Sequence, residues 1–232
     1  MSRKLLAALL SLTVTLALSL ALIDRPLPTE DLPARVGQAM QSSGVAHPVT
    51  AVLLNFRSYD TLLEVGVLLI AVVVALALRE AQPDGPDRMG LDNPLLRAIT
   101  AWLMPLMLMV SGYLLWAGST RPGGAFQAGA VLAACGVLLR LCGTGLSWLE
   151  QPWRLRAGLA LGPLVFLAAG TATMLAGASF LAYPEPLAGS LILFIELNLM
   201  VSIALALISL FRLAPPQSDS PHFADRRRSR RE

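Results

Sequence analysis

Two carboxylates in apolar surroundings are the residues best placed to do chemistry. Glu196 is the tenth residue of LAGSLILFIELNLMVSIALALISLF, Leu187–Phe211, and the only charge in that 25-residue run. At about 1.5 Å per residue the run crosses a hydrocarbon core of about 30 Å with some tilt. Glu196 then lies near mid-depth, where an ionisable group costs about 2.5–3.5 kcal/mol on insertion scales. A span built only for structure would carry Leu there. Two readings follow. In one, Glu196 faces protein or water and handles a proton or a cation, with Asn198 placed to hydrogen-bond an incoming ion or water. In the other, it is a protonated side chain bonded to a neighbouring helix and serves packing alone. Glu64 is the second carboxylate, in the apolar run Thr61–Leu78. Thr61-x-x-Glu64 also fits a capping box, which would tie the side chain to first-turn amides. Arg57 and Asp60 lie close enough in sequence to pair with it.

Other chemistry finds no residues to carry it. No glycine-rich loop ends in Lys-Ser/Thr, so a nucleotide engine is not expected. His47 and His222 lie in loops far apart, and two cysteines on one helix complete no metal-ligand spacing. Cys135 and Cys142 are about 10.5 Å apart along a helix, too far to bridge each other. They read as small buried apolar residues. No Ser-His-Asp arrangement is apparent. The expectation is a chain with no catalytic site, no metal and no cofactor, in which gradients or partner proteins drive any ion movement.

The elements that must position these carboxylates are membrane helices. The 232 residues are 55% hydrophobic and 14% charged, with mean hydropathy +0.64. A soluble domain carries about 25% charged residues. The fold class expected is an all-α polytopic integral membrane protein with about six transmembrane helices. Leu5–Ile23 is longer than the usual apolar core of a signal peptide and is expected to stay as a span. Asp24–His47, broken by proline and glycine, is expected to be an irregular loop with a short helix at Leu32–Gln41. Val49–Leu54 is a short membrane-edge segment. The remaining spans are Thr61–Leu78, Ile99–Ala117 with Pro105 inside, Ala125–Cys142, Gly158–Leu181 and Leu187–Phe211. Arg79–Pro94 reads as a solvated linker, GSTRPGG (Gly118–Gly124) as a tight turn, and Gly143–Ala157 as a loop. The arginine-rich tail beyond Arg212 cannot bury enough apolar area to order itself.

Charge sets the expected orientation. Six spans place both termini on one side, and that side would hold 14 of the 18 basic residues against four on the other. The positive-inside rule then makes both termini cytoplasmic, with Asp24–Asp60, Gly118–Gly124 and Ala182–Pro186 outside. In that position the arginine tail meets anionic lipid headgroups or water, not nucleic acid. Small-xxx-small pairs, Gly158/Gly162 and Ala125/Gly129, let helix backbones approach closely. Polar residues recur in and around the later spans at Ser111, Thr144, Thr171, Thr173, Ser179, Ser190, Ser202 and Ser209.

Two stretches carry a resemblance. PLLRAITAWLMPLMLMVSGYLLWAGSTRPGGAFQAGAV resembles the MnhB family, the B-type component of Mrp-type multisubunit sodium/proton antiporters. There a PGG-x-F-x-x-G turn, here Pro122, Gly123, Gly124, Phe126 and Gly129, joins two transmembrane helices. The family also carries an acid in its last helix, usually in Asp-Ile-Gly; here it is Glu196-Leu197-Asn198, with the acid kept and the glycine lost. VTAVLLNFRSYDTLLEVGVLLIA resembles a motif near the carboxyl end of the large A-type component of the same antiporters, also found in a small subunit of membrane-bound hydrogenases. Its NFR-x-x-DT-x-x-E pattern falls on Asn55, Phe56, Arg57, Asp60, Thr61 and Glu64. The usual glycines are Ser58 and Leu63 here.

The resemblance implies two modules in tandem. Residues 1–80 correspond to the A-type or hydrogenase-like segment, 81–94 to a linker, 95–212 to the four-helix MnhB-like domain and 213–232 to a disordered tail. It also implies a bacterial inner-membrane complex moving Na+ and H+, with large proton-pumping and small membrane subunits as partners. The alternatives are an antiporter-like part of a redox complex and a pure assembly subunit.

Overall fold

The computed structural model describes residues 3–24, 31–80, 93–143 and 151–213. Arg88, Thr144, Trp148, His222, the arginine tail and most of the expected linker lie outside the described residues. Among the described residues every regular element is helical. They run α1 (Arg3–Ile23), α2 (Leu32–Ala39), α3 (Pro48–Ala51), α4 (Ser58–Glu80), α5 (Pro94–Ala117), α6 (Ala125–Leu141), α7 (Pro152–Leu175) and α8 (Glu185–Leu213). Five of them, α1, α4, α5, α7 and α8, are long and apolar enough to cross a membrane; α6 is apolar but shorter, at 17 residues. The chain is a multi-pass membrane protein of the all-α class.

The chain forms two compact units, one up to Gln38 and one from Ala39 onward. The first holds α1 and most of α2. In α1 the hydroxyls of Thr13 and Thr15 bond back to Leu9 O and Ser11 O, so these two polar side chains are satisfied within the span.

The second unit is built around α8. Its span is 61% buried, against 17–28% for those of α4, α5 and α7. α6 and α7 are its main neighbours, with α4 and α5 touching it as well. The small-residue pairs explain the closeness. A Cβ on Gly162 would come within 3.0 Å of Leu199 Cα, one on Gly129 within 3.1 Å of Met200 O, and one on Gly158 would strike Leu205. Two hydroxyls add bonds between helices, Ser202 Oγ to Leu159 O (2.5 Å) and Ser111 Oγ to Ala128 O (2.8 Å). By contrast, Thr171, Ser190 and Ser209 bond carbonyls of their own helices. Cys135 and Cys142 are buried free thiols.

Several boundaries differ from expectation: α4 runs from Ser58 to Glu80 rather than from Thr61 to Leu78, α5 starts at Pro94 rather than Ile99, and both ends of α7 move. Helix α7 begins at Pro152, inside the expected loop, and ends at Leu175 rather than Leu181. Gly177 adopts φ 82°, and its N–H bonds Met174 O while that of Ala178 bonds Thr173 O. This left-handed glycine cap satisfies the last carbonyls and stops the helix. Residues 176–184 then fold back, with Leu181 N donating to Thr173 Oγ1 (3.0 Å) and the Phe180 ring against Gly170.

The run from Pro48 is also broken. Pro48 opens α3, and Val52–Phe56 form a π turn closed by Arg57 N to Val52 O (2.8 Å). Arg57 leaves helical geometry at φ −129°, ψ 39°, and α4 restarts at Ser58. Thr61 Oγ1 donates to Leu53 O (2.6 Å) across the break. Thr61 therefore lies inside α4 rather than at its N-cap, and Glu64 makes no bond back to it, so the Thr61–Glu64 box does not form.

Candidate functional site

The site is assembled where α8 passes the turn between α5 and α6. That turn is held tightly: Gly124 N donates to Leu114 O (2.9 Å), and a Cβ on Gly118 would meet Gly124 N at 2.8 Å. Gly124 is the residue before α6 and adopts φ 108°, ψ −172°, a region open essentially to glycine alone. The turn is also tied to the start of α3. Ser119 O accepts from Ala46 N (2.9 Å) and His47 N (3.0 Å), and Thr50 Oγ1 donates to Gly118 O.

Glu196 enters this junction from mid-helix on α8. It is 4% exposed, and its Oε1 accepts the N–H of Ala125, the first residue of α6, at 3.2 Å. A Cβ on Gly124 would stand 2.6 Å from the same oxygen. The glycine thus admits both the turn and the carboxylate. Two effects act on Glu196 in opposite senses. Burial opposes the charged form, while the Ala125 amide and the positive end of α6 support it.

Beside the carboxylate is a cleft of about 90 Å³. Its walls come from four places. Val49, Thr50, Leu53 and Leu54 belong to α3 and the π turn, Thr61 to α4, and Gly123–Gln127 to the glycine turn and α6. Glu196 and Leu199 complete it from α8. One water needs about 10–15 Å³ by this measure, so the cleft has room for several waters or a small hydrated cation. A carboxylate, hydroxyls and turn backbone in a mostly apolar wall can hold a proton or a monovalent cation.

The expected site residues divide into those brought together and those left apart. Glu196, Gly123, Gly124, Phe126 and Thr61 share the cleft. Gly129 lies one turn deeper, against Ile203 of α8, and Pro122 is exposed on the turn. Asn198 bonds Phe194 O of its own helix (2.7 Å). Arg57 and Asp60 form an exposed ion pair with each other rather than with Glu64. Glu64 is exposed on α4, outside the cleft, and makes no hydrogen bond or ion pair among the described residues. Sequence reasoning missed Thr50, Gln127 and the π turn. The signals were Pro48 opening a helix only ten residues before Ser58, and Gln127 standing directly after Phe126 in the turn motif.

A family model described as a domain related to the MnhB subunit of Na+/H+ antiporter matches residues 95–213. A protein of Rhizobium meliloti (strain 1021), described as a probable K(+)/H(+) antiporter A/B subunit, is 30% identical over 189 residues, which span 70% of this chain and 18% of that protein. An uncharacterized protein of Methanocaldococcus jannaschii is 30% identical over 153 residues, 57% of this chain and 58% of that protein. The chain thus spans under a fifth of the first relative and little more than half of the second. Among solved structures, a chain of the Mrp complex from Dietzia sp. DQ12-45-1b superposes with TM-score 0.65 at 24% identity, over 95% of this chain and 27% of that one. A chain of the membrane-bound sulfane sulfur reductase, an archaeal respiratory membrane complex, superposes with TM-score 0.66 at 24% identity, over 92% of this chain and 98% of that one. At that identity the two superpositions establish a shared fold. The family match covers α5 to α8, the helices that carry the glycine turn and Glu196, and the chain belongs to the family of domains related to the MnhB subunit of Na+/H+ antiporters.

Proposed function

We propose that this chain is a membrane subunit of a multisubunit monovalent cation/proton antiporter in the bacterial inner membrane, and that Glu196 exchanges a proton or a cation within it. The observation that carries the reading is a carboxylate 4% exposed in a membrane span, beside a cleft walled by a broken helix and a glycine turn. Interrupted helices beside an acid are how membrane proteins expose backbone polar groups to an ion without exposing them to lipid. The Glu196 carboxyl takes up or releases a proton, and the cleft admits water or the cation beside it. Glu64 is a second pathway group on a different face, and Asn198 steadies the α8 backbone next to Glu196. The partners are the other antiporter subunits, and the chain itself performs no covalent chemistry. Residues 1–80 and 95–212 are two subunit-like modules joined in tandem.

The test is Glu196→Gln in the assembled complex, with cation-dependent proton movement followed in everted membrane vesicles. Transport is expected to fall at least tenfold with assembly intact. Unchanged transport in an intact complex leaves Glu196 a packing residue and the chain a scaffold. A second reading is favoured by the superposition that covers 98% of a chain of the sulfane sulfur reductase. In it the chain is the antiporter-like part of a redox complex. Co-purification with iron–sulfur subunits would support that reading over the first.

A further inference from the structure

We propose that the hydroxyl oxygens of Thr50 and Thr61 are direct ligands of a partly dehydrated alkali cation in the Glu196 cleft, and that they set which alkali cation the cleft accepts. This role rests on the reading of Glu196 as an exchanging carboxylate and deepens it.

The two threonines flank the break in the helix. Thr50 is on α3, Thr61 is in the first turn of α4, and the π turn lies between them. Both are buried and both line the cleft. Each gives its hydroxyl proton to a backbone carbonyl outside its own helix, Thr50 to Gly118 O and Thr61 to Leu53 O. A hydroxyl has one proton to donate and two lone pairs that accept. With the proton committed, neither oxygen can relay a proton, which requires donating onward as well as accepting. Each can still coordinate a positive ion. Thr50 keeps a lone pair for it even with His47 Nδ1 3.4 Å from its oxygen. Pinning alone does not require this placement. Ser111 and Ser202 also join helices through hydroxyls, to Ala128 O and Leu159 O, and neither lines the cleft.

Glu196 supplies the charge. Its Oε1 accepts from Ala125 N, and its second oxygen makes no hydrogen bond among the described residues. Gln127 is exposed and marks the open side of the cleft. Its Oε1 lies 3.9 Å from the place a Gly124 Cβ would fill, the same place that Glu196 Oε1 approaches to 2.6 Å. Among the described residues no lysine, arginine or histidine lines the cleft. The start of α6 adds about half a positive charge, which one ionised carboxylate outweighs. That count selects a monovalent ion. A divalent ion would keep unbalanced positive charge within a membrane span, where charge is costly.

The test is cation-driven proton exchange in everted vesicles holding the whole complex, read as the half-saturating concentrations of Na+ and of K+ at one pH. Thr50→Val and Thr61→Val are each expected to raise the half-saturating concentration of the preferred ion by about 10- to 100-fold, the worth of one bond to a charged group. The ratio of the Na+ value to the K+ value is expected to change with it. Thr50→Ser and Thr61→Ser keep the oxygen and are expected to restore the parent values. Ser111→Ala removes a pin outside the cleft and is expected to move neither value. A lost ligand shows in half-saturation, whereas a lost pin shows in maximal rate or assembly. Where a valine variant does not assemble, cysteine takes its place. Its S–H keeps a weak donor for the carbonyl, while soft sulfur is a poor ligand for an alkali ion, so the same rise is expected. Unchanged half-saturation and an unchanged ratio in these variants leave the threonines as pins and overturn the proposal. An equal shift in Ser111→Ala overturns it too. If Glu196→Gln abolishes transport while the threonine variants keep the parent values, the exchange reading stands and this proposal alone falls. Full transport in Glu196→Gln removes both.

Discussion

Gly124 and Glu196 meet at a single amide, that of Ala125, and two substitutions probe the meeting. Gly124→Ala forces a side chain into a backbone region that costs about 1–3 kcal/mol and drives a methyl into Glu196 Oε1. Thermal stability in detergent and transport should fall together. Gly112→Ala on α5, where a Cβ meets nothing, should leave transport intact and stabilise by about 0.4–1 kcal/mol. Tyr183 shows the opposite economy. It is 7% exposed, and its hydroxyl lies near Ser58 without a hydrogen bond. Burial pushes its pKa well up, with Ser58 pulling weakly the other way. The folded chain therefore holds this proton more tightly than the unfolded chain does. Its contribution is complete below the ordinary tyrosine value of about 10 and drains away as pH rises above it. Tyr183→Phe should flatten the fall of melting temperature between about pH 10 and 11; an unchanged slope would show that other groups cause it.

At the scale of elements, α8 is held by backbone-close contact with α6 and α7, since lipid supplies no hydrophobic drive between helices. Gly162→Leu would push the side chain into Leu199 and Ser202, and overpacking of this kind costs about 1–3 kcal/mol or more. The expected result is a lower melting temperature and a cleft that no longer closes around Glu196, read as loss of transport. The π turn is the other decisive element. It brings Leu53 and Leu54 to the cleft while Thr61 pins the two half-helices together. Thr61→Val keeps the shape and removes that bond. It should lower stability by about 0.6–1.7 kcal/mol, the range of hydrogen bonds within membranes, measured by denaturation in mixed micelles.

For the whole molecule, the expected orientation becomes an experiment. A cysteine at Ser119, in the α5–α6 turn, should react with an impermeant maleimide in intact cells. One at Gln151, at the start of α7, should react only after permeabilisation. Cys135 and Cys142 are buried and should give little background. The reverse pattern would put the glycine turn and its cleft on the cytoplasmic side.

The apolar runs were long enough, and broken often enough by charge and proline, to place the five long spans and the shorter α6 in the chain. The Glu196 anomaly and the glycine-turn motif stood out for the same reason, because each is a local departure from what lipid tolerates. Their meeting was not legible. It depends on which face of α8 turns towards α6, and a helix apolar on every side carries no periodicity to say so. The fate of Glu64 was hidden in the same way: α4 restarts at Ser58, three residues before Thr61, after a break in the helix that no spacing rule foresaw. Sequence alone determined which segments enter the membrane and which acids they carry. The tertiary structure decided that one acid closes a cleft and the other faces outward, because helix rotation in a bundle is set by packing between segments distant in the chain.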